Sequence, residues 1–211
     1  MKHLNQFITE YIIKKKLDKA IDSEDHYDYY PETKEELKEN IEELVNKGIY
    51  NFNCINTSAI TDMSYLFKHI DLYNTNFDIS KWNVSNVKNM FSMFDYCTSF
   101  TGKGLEKWDV SNVENTSFMF HDCHKFNCDL SNWDVSNVTN MNYMFNECGI
   151  FDCDLSNWDV SKVTHMQHMF YRCYKFTGKG LENWNVSNVT HMNDIFGKCT
   201  LLKNKPSWYK E

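Results

Sequence analysis

At 211 residues, with 42% hydrophobic and 16% aromatic residues, the chain carries ample material for a buried core. Only 2 prolines and 7 glycines argue against collagen-like or low-complexity composition. A formal net charge of −7, with no clustered Lys and Arg, argues against binding to a phosphate backbone, so no nucleic-acid partner is expected.

Leu4, Phe7, Ile8, Tyr11 and Ile12 recur at helical spacing, and Lys14, Lys15 and Lys16 suit a helix C-terminus. This predicts an amphipathic helix over residues 1–20, with that apolar face as a candidate docking element. The opening MKHLNQFITEYIIKKK has no uninterrupted apolar stretch and no small-residue cleavage site follows it. No apolar run is long enough to span a bilayer. The expectation is a cytoplasmic or virion-associated protein without membrane insertion, an extracellular surface being less favoured. A polar, acidic linker occupies 21–32. A second helix is predicted over 33–48, with Thr33 and Glu36 as a capping pair and Gly48 as its stop. Its face of Leu37, Ile41, Leu44 and Val45 suits a cap over the open end of a repeat stack.

Residues 49–202 are repetitive. Trp82, Trp108, Trp133, Trp158 and Trp184 recur at steps of 26, 25, 25 and 26, and a degenerate copy, TSAITDMSYLF, precedes them, making about six units. The shared template is L-x-x-W-x-V-x-x-V-x-x-M-x-x-M-F-x-x-C-x-x-F, unbroken from Leu130 to Phe151. Its L-x-x-W-x-V part reads as a short strand. The three-residue spacing of Val138, Met141 and Met144 reads as a helical turn, with the Ser of V-S-N-V as N-cap and Ser111 with Glu114 as a capping box. One unit cannot bury Trp, two Met and Phe alone; stacking its neighbours can. Residues 203–211 are left as a C-terminal tail.

This template resembles the BspA-like leucine-rich repeats with their W-D-V-S-N-V-T-N-M-x-x-M-F signature, over roughly residues 50–200. The resemblance implies an α/β repeat fold: a right-handed leucine-rich-repeat-type solenoid of parallel short strands with a helical N-terminal cap. It implies roles in adhesion or protein recognition, and it carries over no catalytic residue.

Three sets of residues are candidate sites. Cys97, Cys123, Cys148, Cys173 and Cys199 form one column, read as small buried core residues. Cys128 and Cys153 form a second column, where a bridge is conceivable but reduced thiols are favoured. His165, His168, His191 and Asp194 sit in shared columns of consecutive repeats and could ligate zinc, although solvated surface is the favoured reading and no metal or cofactor is expected. Asn83, Asp109, Asp134, Asp159 and Asn185 make a polar ladder. Its stacked aspartates need compensation, supplied locally by the V-S-N-V segment, and the face is a candidate surface for a basic partner or cation. The function expected is a non-enzymatic protein-interaction scaffold. The alternative is a structural component, virion-associated or a surface adhesin, of a phage or AT-rich bacterium, assembled into a larger complex.

Overall fold

A computed structural model describes residues 27–68, 70, 72 and 75–210; the docking-helix residues Leu4, Phe7, Ile8, Tyr11 and Ile12 lie outside them. Helix α1 runs Lys34–Asn46. The Thr33 hydroxyl accepts the N–H of Glu36, and the Glu36 carboxylate accepts the N–H of Glu32, so two donors at the helix start are satisfied reciprocally. Gly48, at φ 71°, turns the chain out of the helix. Leu37, Ile41 and Leu44 are buried and belong to the same apolar core as Phe52, Ile55 and Ile60 in the first coils.

From residue 50 onward the chain winds in coils of 25 to 27 residues, each in parallel register with the next. Isolated parallel bridges join Asp62 to Asn89, Asn89 to Asn115, Asn115 to Asn140, Asn140 to His165 and His165 to His191. The bridge column therefore lies just before the Met of V-x-x-V-x-x-M. It does not lie in the L-x-x-W-x-V segment, where the strand was expected.

The expected short helix is absent as well. Met90–Met93 and Phe94–Cys97 each form a turn closed by an N–H to C=O bond across three residues, at 3.2 and 2.9 Å. The third residue of each turn has positive φ: Ser92 at 51° and Tyr96 at 64°, then Tyr143 at 58° and Glu147 at 64° two coils on. This is the pattern of a type II turn. It also turns every third residue inward, which is why a three-residue period reads as helical in sequence. Left-handed backbone at non-glycine residues costs roughly 1–2 kcal/mol each. The compensation is cooperative: Met90, Ser92, Phe94 and Tyr96 each donate their N–H to the next coil, to the carbonyls of Asn115, Ser117, Met119 and His121, all at 2.9 Å. Later coils repeat the set.

Inside the stack, side chains form continuous columns. Phe67, Phe94, Phe120, Phe145, Phe170 and Phe196 stack with ring centroids 5.3–5.9 Å apart. The tryptophans bury their rings and reach back one coil with Nε1. Trp82 donates to the carbonyl of Phe52, Trp133 to Leu105, Trp158 to Leu130 and Trp184 to Leu155, at 2.8–3.1 Å. Trp108 departs from the series, its Nε1 being buried without an acceptor. Where an added residue lengthens the coil, the 3₁₀ turns Leu105–Lys107 and Leu181–Asn183 absorb it. The entering Gly104 and Gly180 have φ near 90°, and a Cβ on Gly180 would stand 2.2 Å from the backbone N of Ser156, so neighbouring coils touch there.

The C-terminal residues are not a loose tail. Pro206 is buried, and Trp208 stacks on Trp184 with centroids 6.2 Å apart while donating Nε1 to the carbonyl of Leu181. Tyr209 packs edge-on against Phe196. Residues 203–210 thus make a partial further coil over the exposed end of the core.

Candidate interaction face

The bridge column organises one face of the stack. Next to it the turn residues present their side chains outward, and several are aromatic. Tyr65 meets Phe91 at 4.8 Å, Phe91 meets Phe118 at 5.8 Å, Phe118 stacks on Tyr143 at 4.5 Å and 11°, and Tyr143 stacks on His168 at 4.8 Å and 30°. These five rings form an unbroken ribbon across five coils. Tyr65 is exposed and the other four are half-buried, so the ribbon packs on itself and keeps its edges in solvent. Sequence comparison of columns does not flag this ribbon, because it steps one column aside at Phe91 and back at Phe118, and it mixes Tyr, Phe and His. The relevant signal is the recurrence of an aromatic or His in the two positions between the paired Met residues.

Charged groups border the ribbon on the F-x-x-C side. Asp95, buried, accepts from Nδ1 of His121 at 2.7 Å and faces Lys68 at 3.7 Å. His121 Nε2 stands 3.3 Å from the carboxylate of Asp122, so both of its nitrogens are engaged by carboxylates. Arg172 pairs with Glu147 on the preceding coil and lies over the Tyr171 ring, 5.3 Å from its centroid. Acids and bases alternate here without a run of one sign.

Asn83, Asp109, Asp134, Asp159 and Asn185 do stack as a column and are exposed, but six residues before the bridge column, so they do not lie on the bridged face. Each accepts the N–H of the serine two residues on, at 3.0–3.2 Å, the geometry of an Asx turn. The same serines were expected to cap helices; they instead complete these turns. Hydrogen bonds from the hydroxyl and N–H of Ser136 and of Ser161 hold the carboxyls of Asp134 and Asp159 below the usual carboxylate range. A second column with the same role is formed by Asp78, Asp129 and Asp154, each accepting from Ser80, Ser131 and Ser156. Asp129 and Asp154 border an open depression with Cys128 and Cys153 in its lining.

The cysteine columns are structural. Cys123, Cys148, Cys173 and Cys199 donate their thiols to the carbonyls of Phe94, Phe120, Phe145 and Phe170 on the preceding coil, at 2.9–3.0 Å. Burial pushes the Cys97 and Cys199 thiols up to about 12 and those of Cys123, Cys148 and Cys173 well above the ordinary value. Cys128 and Cys153 are unbridged, their thiols raised to about 12 and about 11, chiefly by burial.

His165 and His191 stack face to face, whereas His168 pairs with Asp194 in the column three residues on, its Nδ1 3.7 Å from the carboxylate. The structure therefore divides the four residues into two pairs. Among the described residues, no group of three or more His, Cys, Asp and Glu could hold a metal ion, and no helix is long and apolar enough to cross a membrane.

A family model described as "Mycoplasma protein of unknown function, DUF285" matches residues 35–132 and again residues 97–209. No curated protein and no solved structure matches the chain. The two overlapping matches run from α1 to the aromatic turn that closes the stack, and the chain belongs to the DUF285 family.

Proposed function

We propose that the chain is a non-enzymatic protein-interaction scaffold, a BspA-like, right-handed solenoid of the leucine-rich-repeat type that recognises a protein through its bridged face. The observation that carries this reading is the aromatic ribbon Tyr65–Phe91–Phe118–Tyr143–His168, held at ring spacings of 4.5–5.8 Å. Aromatic side chains with exposed edges are the residues that dominate protein interfaces, since they bury large area at little cost in conformational freedom. Here their positions are fixed in advance by turns bonded to both neighbouring coils, which lowers the ordering cost of binding. The alternating charges of Asp95, His121, Glu147 and Arg172 provide a polar rim. Several titratable groups are committed to structure: His121 to two carboxylates, the Asp columns to turn N–H groups and the thiols of Cys123, Cys148, Cys173 and Cys199 to carbonyls. Thiols that serve as hydrogen-bond donors support a reducing compartment such as the cytoplasm.

The test compares partners recovered from source-cell extract by the wild type, by a Phe118→Ser/Tyr143→Ser variant and by an Asp134→Ser/Asp159→Ser variant. All three are first shown to be folded by their thermal transitions. A partner held by the wild type and the aspartate variant but lost from the ribbon variant supports the reading. A partner retained by the ribbon variant contradicts it.

A further inference from the structure

We infer that the open C-terminal end of the stack docks a second copy of this chain, which seats the outward face of its α1 there and builds a head-to-tail assembly. Along the bridge column each coil donates N–H groups to the next. The last such set is Met166, His168, Phe170 and Arg172, bonded to the carbonyls of His191, Asn193, Ile195 and Gly197 at 2.7–3.0 Å. Met192, Asp194, Phe196 and Lys198 hold the same places in the final coil, and among the described residues their N–H groups have no acceptor. Only the threonine column returns a bond the other way, from the N–H of Thr190 to the carbonyl of Thr164 at 2.9 Å. The peptide dipoles along this column therefore add, with their positive end at the last coil.

Apolar cover stops short at the same end. Trp208 and Tyr209 cover Trp184 and Phe196. Val186, Val189 and Met192 are left half-buried, where their counterparts Val160, Val163 and Met166 are 0–1% exposed. A terminal repeat ordinarily closes the core with a polar outer face, and over these three residues that closure is missing.

Charge selects the occupant. Lys198, Lys203, Lys205 and Lys210 are exposed at this end and add positive charge to a row of bare donors. The acids nearby are engaged, Glu182 by Ser207 and Asp194 by His168. A donor row cannot pair with an identical row, so two C-terminal ends do not fit each other. The opposite end of the chain does fit. Helix α1 buries Leu37, Ile41 and Leu44 and turns Glu35, Glu39 and Glu42 to solvent, a stripe at i, i+4 and i+7 about 10 Å long. Carboxylates offer acceptors only. Lys34, with Nζ 2.9 Å from Asp62, pins the helix to the first bridged coil and leaves the stripe facing away from the stack. In a single chain the acids lie at the negative end of the aligned peptides and the lysines at the positive end, and each is unfavourable. Head-to-tail stacking compensates both. Such a contact leaves one end of each chain unused, so it propagates. The bridged face runs along the side of the stack and stays open.

The experiment is sedimentation velocity of the full chain from dilute to near-millimolar concentration, in low and high salt. Mass is expected to climb past the dimer with concentration and to fall back toward the monomer in high salt. A chain that stays monomeric at the highest concentration, or that stops at a dimer, overturns the proposal. Polarity is read with two blocked proteins, Glu35→Gln/Glu39→Gln/Glu42→Gln and Lys198→Glu/Lys203→Glu, each first checked for a wild-type thermal transition. Each alone is expected to lose self-association, and their equimolar mixture to form a discrete heterodimer through the one intact end of each. Wild-type association by either blocked protein, or a mixture that stays monomeric, overturns it. Where a blocked protein does not fold, amide exchange in the wild type decides: the N–H groups of Met192, Asp194, Phe196 and Lys198 are expected to slow at high concentration. Rates independent of concentration overturn the docking.

Discussion

Trp208 donates its indole N–H to the carbonyl of Leu181, 2.7 Å away, repeating the bond that Trp184 makes to Leu155 one coil earlier. The last residues therefore continue the tryptophan column and cover Trp184 and Phe196. Trp208 is only half-buried, so Trp208→Ala is expected to cost about 2 kcal/mol, less than the roughly 3–5 kcal/mol of a fully buried aromatic. Equilibrium urea denaturation measures this. A loss within about 0.5 kcal/mol, the range of ordinary surface changes, would mean the terminal turn does not cap the stack.

The tryptophans also separate packing from hydrogen bonding. Trp133→Ala removes a ring at the centre of the stack and is expected to cost about 3–5 kcal/mol. Trp133→Phe keeps most of the ring but removes the indole bond to the Leu105 carbonyl, which keeps the N–H of Trp108, adding about 0.5–1.5 kcal/mol to the packing loss. At Trp108, whose Nε1 has no acceptor, the same change to Phe relieves an unsatisfied donor and is expected to cost less than at Trp133. Parallel denaturation curves decide it; equal losses at the two sites would deny the indole bond its role.

Acid stability follows from the Asx turns. The carboxyls of Asp134 and Asp159 sit below the usual range in the folded chain, chiefly through the serine hydroxyls. A depressed folded value means the unfolded chain takes up protons first as pH falls. This contribution is full above the ordinary carboxylate value of about 3.9 and is lost as pH drops through the folded one. Both groups are exposed, so the effect is small. Asp134→Asn with Asp159→Asn keeps an Oδ1 acceptor, as Asn83 and Asn185 do naturally. The variant is expected to match the wild type near neutrality and to lose less Tm below about pH 4. A parallel fall of both proteins would show that these carboxylates do not contribute.

Thiol reactivity should follow burial. Cys54 is half-buried, while the other seven cysteines are buried and their thiols are pushed up by that burial, those of Cys97, Cys128 and Cys199 to about 12. The thiolate is the reactive form, so iodoacetamide at neutral pH is expected to modify Cys54 first and the rest only on unfolding. Peptide mass spectrometry over time reads the order. Early labelling of Cys148 or Cys173 would contradict their placement in the core.

Most of the core was legible because each inward position keeps its residue type from coil to coil: Trp133, Val138, Met141, Met144, Phe145 and Cys148 are all buried, as are nearly all their counterparts. What was not legible has two physical sources. Backbone conformation at positions such as Tyr143 and Glu147 is left-handed without glycine, so nothing in composition announces the turns. A three-residue period fits such turns as well as a helix, which misplaced both the strand and the serine caps. Trp208 escaped notice because it follows Trp184 by 24 residues and no V-S-N-V segment follows it. The aromatic ribbon escaped because it is conserved in neither column nor residue type along the chain, and only the turn geometry brings Phe91 against Phe118.

The bridged face as the recognition surface is tested most directly by site-specific photo-crosslinking in source cells, with the photoreactive residue placed at Tyr143 and, in a separate protein, at Asp134. The account predicts a discrete protein adduct from position 143, suppressed by Phe118→Ser, and none from position 134. An adduct from position 134 alone would move recognition to the acidic Asx column and contradict the account.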